Sequence, residues 1–128
     1  MPPIEQLQRV PQVFLQRLER QGVFTTGLLL EVSETRTRRV YLADQIGATT
    51  NDVHEWRDEA LLLNLAAFGP TEQAIFTQAG ITGIEQLLEL DLPTLRQRLG
   101  RAATTLGVPT PPDLTISGWY DQAHTLVE

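Results

Sequence analysis

Across 128 residues the chain carries 16 acidic and 10 basic side chains, a formal net charge of −6, and no cysteine. Disulfides and thiolate metal sites are thereby excluded, and the overall negative field works against non-specific binding of a nucleic-acid polyanion. An apolar share of 41% is that of a folded chain, no apolar run reaches the roughly 18 residues of a membrane span, and the opening MPPIEQLQR has no secretory pattern; a cytoplasmic protein with no membrane contact is the expectation.

In chain order the punctuation is helical. A short helix is predicted around Pro3–Arg9, then a turn at Arg9-Val10-Pro11 and a second helix running to Gly22. A third helix carries Leu29-Leu30-Glu31. A fourth runs from about Glu34 to Ile46 and stops at Gly47, and a fifth holds Trp56 to Leu63. Nothing alternates at period two for long enough to make a sheet. The same order then recurs, with a short helix at Asn64–Ala67, a turn at Ala67-Phe68-Gly69-Pro70, a helix to Gly80 and a helix with Leu87-Leu88-Glu89. It ends with a helix from Leu92 to Leu106 stopped at Gly107, and one from Trp119 to Leu126.

The recurrence is a repeat. A shift of 58 residues brings Leu7 onto Leu65, Leu18 onto Phe76, Gly22 onto Gly80 and Leu29-Leu30-Glu31 onto Leu87-Leu88-Glu89. A shift of 60 brings Ala43 onto Ala103 and Gly47 onto Gly107. A shift of 63 brings Val53, Trp56, Asp58, Ala60 and Leu63 onto Ile116, Trp119, Asp121, Ala123 and Leu126. The growing offset places small insertions in the second copy, one of them in the loop VPTPPD. Two repeats, 1–64 and 65–128, are expected to form one compact unit. In each, Trp56 or Trp119 lies on an apolar stripe spaced by three and four, which predicts burial of both indoles.

The clearest local signal is the stretch Leu65 to Leu90, which reads as a helix-hairpin-helix. Gly69 suits a tight turn, Pro70 cannot continue a helix from behind it, and Thr71 is predicted as the N-cap. Gly80 is placed as the stop, and Thr82-Gly-Ile-Glu85 has capping-box spacing for the next helix.

Helix-hairpin-helix units that grip DNA use turns of the form Gly-hydrophobic-Gly, whose bare backbone N–H groups approach a phosphate. Here one turn keeps a single glycine, Gly69, and the other has Arg9-Val10-Pro11 with none. Arginines are the second candidate: Arg36, Arg38 and Arg39 on one fourth helix, and Arg96, Arg98 and Arg101 on the other, are spaced to offer small forks of guanidinium groups to phosphates or acidic protein surfaces. All ten basic residues are arginine.

Catalytic and metal chemistry find no constellation. His54 and His124 lack metal-ligand spacing and are expected at exposed helix positions. Ser33 and Ser117 lack a partnering His and acid and are expected as helix caps. Asp58 and Asp121 recur two residues after each Trp and are expected to make solvent-side or capping contacts. No catalytic residue, cofactor or metal site is expected.

The doubled pattern G-[VI]-x-[TG]-x-x-x-L-L-E, then [IL]-G, then W-x-D-x-A-x-x-L, carried by Gly22-Val23, Gly80-Ile81, Leu87-Leu88, Trp56 with Ala60 and Trp119 with Ala123, resembles a domain-of-unknown-function family of tandem helix-hairpin-helix proteins frequent in cyanobacteria. The resemblance runs from about Leu7 to Leu126. It implies a SAM-like fold similar to the DNA-polymerase-beta N-terminal module and to DNA-binding modules of repair proteins, and it brings no known reaction. The expectation is an all-α, pseudo-symmetric bundle of about ten short helices. The expected function is a non-enzymatic protein-interaction or adaptor module with another protein as partner. The alternative is weak, sequence-independent nucleic-acid binding through the second hairpin and the arginine-bearing helices. The candidate surface comprises Arg36, Arg38, Arg39, Gly69, Thr71, Arg96, Arg98 and Arg101.

Overall fold

The computed structural model describes residues 2–126. Among them are eight α-helices and no strand: α1 Gln12–Arg20, α2 Thr26–Val32, α3 Arg36–Ile46, α4 Thr50–Leu63, α5 Pro70–Gln78, α6 Ile84–Leu88, α7 Leu92–Leu106 and α8 Asp113–Leu126. The all-α expectation holds. The expected count of about ten does not, because the short opening helix of each half is absent as an α-helix. Residues Ile4–Gln6 form a single 3-10 turn, and Asn64–Ala67 forms turns, with Ala67 at a left-handed φ of 59°.

The chain divides into two compact units, Met1–Asn64 and Leu65–Glu128. In the first, α2 and α3 pack on α4. Trp56 is 2% exposed, and its ring lies 5.2 Å from that of Phe14. The neighbouring α4 positions Val53, Ala60 and Leu63 are buried with it, as one helical stripe requires. Asn64, just past the end of α4, donates through its side-chain amide to the Thr26 hydroxyl (2.8 Å) and the Ala60 carbonyl (2.7 Å), tying the end of α4 to the start of α2.

In the second unit α5 packs on α7, and α6 and α7 pack on α8. Trp119, also 2% exposed, meets Phe68 and Phe76 edge-on at 5.7 and 5.4 Å, a favoured aromatic geometry. Its indole N–H donates to the Ala66 carbonyl at 2.7 Å, so the buried polar atom is satisfied.

Four helices end in the same way. Gly22, Gly47, Gly80 and Gly107 all have φ between 71° and 82°, a region open to glycine at little cost. The residue after each glycine donates back to the helix: Val23 to Leu18, Ala48 to Ala43, Ile81 to Phe76 and Val108 to Ala103. These are the 6→1 bonds of a Schellman stop.

The predicted starts need two corrections. α5 begins at Pro70 with Gly69 as N-cap. Glu72 accepts the Gly69 N–H at 2.8 Å, so Thr71 is an exposed second residue of the helix and not its cap. α6 begins at Ile84 with Gly83 as N-cap. Thr82 lies just before that cap and donates its N–H (2.6 Å) and hydroxyl (3.0 Å) to Gln86.

Candidate functional site

The turn at residues 7–11 of the first unit sits against α4. The Glu59 carboxylate is 3% exposed and accepts the backbone N–H of Gln8 at 2.7 Å and of Arg9 at 2.9 Å. Arg9 turns its guanidinium onto Asp58 at 2.9 Å and towards Glu55 at 3.9 Å. Burial pushes the Glu59 carboxyl above the ordinary glutamate range, opposed by the two backbone N–H bonds and the Arg9 charge and reinforced by Asp58. This arrangement corrects the solvent-side expectation for Asp58, which is 7% exposed and paired; Asp121 is exposed.

Two adjacent backbone N–H groups aimed at one carboxylate are chemically an anion seat. Here the anion is the chain's own, contributed from about fifty residues away in sequence. At the corresponding turn of the second unit a neutral side chain takes the role: Gln122 accepts the Ala66 N–H at 3.0 Å. The remaining glycine of that turn, Gly69, already donates its N–H to Glu72.

The arginines of α3 are drawn into the first unit. Arg39 donates to the carbonyls of Ser33 (2.8 Å) and Glu34 (3.3 Å). Arg38 donates to the Glu31 carbonyl at 3.0 Å and lies 3.5 Å from the Glu34 carboxylate. From α4, Arg57 donates to the Leu30 carbonyl (2.8 Å) and the Ser33 hydroxyl (3.0 Å). Three guanidinium groups thus serve the carbonyls at the C-terminal end of α2, where a helix is electronegative and its last carbonyls lack partners. Burial, followed by the nearby Arg39 charge, lowers the Arg57 pKa, with Glu34 opposing. Arg36 is exposed. The predicted Arg36/Arg39 fork is therefore not presented outward as a pair.

One serine meets the expectation and one does not. Ser33 is the C-cap of α2, fully buried, and donates to the Leu29 carbonyl at 2.5 Å. Ser117 lies within α8, caps no helix and accepts from Arg96 at 2.8 Å. His54 is exposed as expected, whereas His124 is half-buried, with its Nδ1 2.8 Å from the Tyr120 carbonyl.

On α7 the picture is more open. Arg96 is held by α8 through Ser117 and lies 3.7 Å from Asp113, while Arg98 and Arg101 are exposed. The helix carries three arginines and no acidic residue. Arg96 and Arg101, with Gln97, Gly100, Thr104 and Thr110, line a cleft of about 620 Å³.

A cleft of different character lies in the first unit, about 470 Å³, with Val23, Val32, Leu42 and Tyr41 on its walls. Tyr41 is 65% exposed and its neighbour Val40 is 48% exposed. Sequence reasoning passed over both residues. Two large apolar side chains on the solvent face of an arginine-bearing helix were the available signal.

Among the described residues no helix is long and apolar enough to cross a membrane, and no group of three metal-ligating side chains gathers. The family model of a domain of unknown function, DUF4332, matches residues 8–126, and the chain belongs to that family. No curated protein and no solved structure matches it.

Proposed function

We propose that this DUF4332 chain is a non-enzymatic, cytoplasmic protein-interaction or adaptor module, built from two helix-hairpin-helix units whose turns do not grip phosphate. The observation that carries this reading is the Glu59 carboxylate on the N–H groups of Gln8 and Arg9. A phosphate arriving at that turn must displace a tethered anion and then face Asp58 and Glu55 alongside it. In the second unit the competing acceptors are Gln122 and Glu72. Net charge of −6 adds long-range repulsion to this local competition.

The surface best suited to a protein partner is the outer side of α3, where Val40 and Tyr41 stand exposed beside the apolar cleft. Exposed aromatic and aliphatic side chains next to a concavity are what protein interfaces bury at their centres. The test is affinity capture from nuclease-treated extract of the native cell, comparing the parent chain with a Val40→Ser/Tyr41→Ser variant. A partner retained by the parent and lost by the variant supports the reading. Capture that disappears with nuclease treatment, or that ignores the two substitutions, counts against it.

The second reading, weak nucleic-acid binding, is favoured by one observation: Arg98 and Arg101 are exposed on a helix without acidic residues. It requires α7 and not the hairpin turns to meet the backbone phosphates.

A further inference from the structure

We propose that the cleft on α7 is a binding site for a small phosphate monoester with a hydroxyl-rich body, a class that includes the sugar phosphates. This goes beyond the adaptor reading and does not depend on it.

The starting point is Gly100. It lies in the middle of the 15-residue helix α7, where glycine weakens a helix relative to almost any other residue. Its φ is not in the left-handed region, so the backbone does not require it. A Cβ placed there would meet nothing within 4 Å, so packing does not require it either. What glycine supplies at such a position is a bare stretch of helix that a ligand can approach closely. Open space alone does not make a site, for Gly118 in α8 has it too. The neighbours distinguish Gly100: it lines the cleft together with Arg96, Arg101, Gln97, Thr104 and Thr110.

These neighbours have consistent chemistry. Arg96 is oriented by its bond to the Ser117 hydroxyl at 2.8 Å, while its buried Nε, 3.7 Å from the exposed Asp113 carboxylate, forms no hydrogen bond among the described residues. Arg101 is exposed and forms no ion pair among the described residues. Two guanidinium groups in one cleft match the charge and the several acceptor oxygens of a phosphate monoester. The Thr104 hydroxyl donates to the Gly100 carbonyl at 3.0 Å, the usual back-bond of a helical threonine, which leaves its oxygen free to accept from a ligand hydroxyl. The cleft reaches the last turn of α7 through Thr104 and Thr105, the end of a helix that disfavours an anion; there Gly107 and Val108 donate to the Thr104 and Ala103 carbonyls, and the two guanidinium groups have to outweigh what remains.

The rest of the lining has no aromatic ring on which a base could stack. It offers an amide and hydroxyls, groups that exchange hydrogen bonds with a polyol. The depression, about 620 Å³, is shallow and open to solvent, so a ligand there would be held by charge and hydrogen bonds and not by enclosure. In the first unit, a shift of 60 residues puts Val40 and Tyr41 where Gly100 and Arg101 stand. The first unit thus lacks both the bare backbone and the second cation at that place.

The test is a titration of the full chain, followed by amide NMR shifts, with inorganic phosphate and with a hexose phosphate. A fluorescein-labelled generic DNA duplex is titrated in parallel. The expected result is saturable shifts centred on Gly100, Arg101 and Thr104, with the hexose phosphate binding at least tenfold tighter than phosphate. Arg101→Gln and Gly100→Leu should each weaken binding at least tenfold, whereas Arg98→Gln, which is outside the cleft, should change it less than twofold. Both cleft variants keep or raise helix propensity, so loss of binding is not loss of fold, and the dispersion of the spectrum verifies this. Absence of saturation with either ligand overturns the proposal. So does equal weakening by Arg98→Gln, or preference for the duplex over the hexose phosphate.

Discussion

Replacing Glu59 by alanine removes the acceptor that holds the turn at residues 7–11 to α4. Two backbone N–H groups, of Gln8 and Arg9, bond that carboxylate at 2.7 and 2.9 Å. Hydrogen bonds to a charged acceptor are worth about 1.5–3 kcal/mol each, which gives roughly 3–6 kcal/mol gross for the pair. Burial of the carboxylate offsets part of this, as its raised pKa signals, and the expected net loss is about 2–4 kcal/mol. For a unit of this size that lowers the melting temperature by on the order of 10–20 °C. Glu59→Gln should fall between parent and alanine, since a glutamine keeps one acceptor oxygen, as Gln122 does on Ala66. The assay is thermal and urea unfolding of the full chain in a Trp119→Phe background, so that Trp56 fluorescence reports the first unit alone. A Glu59→Ala midpoint within about 0.5 kcal/mol of the parent, the usual range for surface substitutions, would refute the claim that the carboxylate holds the turn.

Three more predictions follow from the same contacts. Trp56→Ala should cost the first unit about 3–5 kcal/mol, as truncation of a buried large aromatic does, measured by urea unfolding followed by circular dichroism. Because burial raises the folded pKa of Glu59, the proton-linked part of its contribution is fully present below the unfolded value and is lost as pH rises through the folded one, while the bonds from Gln8 and Arg9 to the carboxylate remain. Unfolding midpoints taken from about pH 4.3 upward should therefore fall for the parent relative to Glu59→Gln. Gly80→Ala forces a side chain to a φ of 79° and should cost about 1–2 kcal/mol. Gly100→Ala, with ordinary φ and open space, should instead stabilise by about 0.5–1 kcal/mol, and paired thermal melts read the opposite signs.

Local rules made much of the fold legible. The glycine stops depend only on backbone freedom at one residue, so Gly22, Gly47, Gly80 and Gly107 could be read without knowing any tertiary contact. Burial of both tryptophans followed from a stripe of period 3.6. The helix starts were less legible because several residues compete for the same role. At α5, Pro70 takes the first helical position and Glu72 reaches back to Gly69, leaving Thr71 outside the cap.

The candidate site was obscured by distance in sequence. Glu59 bonds a turn fifty residues away, and no local pattern announces that. One clue was present, for Glu59 stands three residues after Trp56 and beside Ala60, so helical period puts a charged side chain near the buried stripe. A charge in such a place needs partners. The arginines misled for a related reason. Their i,i+3 spacing suggested forks for an external anion, whereas Arg38, Arg39 and Arg57 find acceptors in the carbonyls closing α2. Carbonyl partners leave no mark in side-chain sequence.

The central proposal is that the turns at residues 7–11 and 65–69 are closed to phosphate by the chain's own acceptors. Its most direct measurement is anisotropy of a fluorescein-labelled generic duplex titrated with the full chain at a series of salt concentrations. The account predicts no saturable binding even at low salt. Saturable binding that weakens on Gly69 substitution, with log affinity falling against log salt at a slope near −3.6 for about four neutralised phosphates, would contradict it.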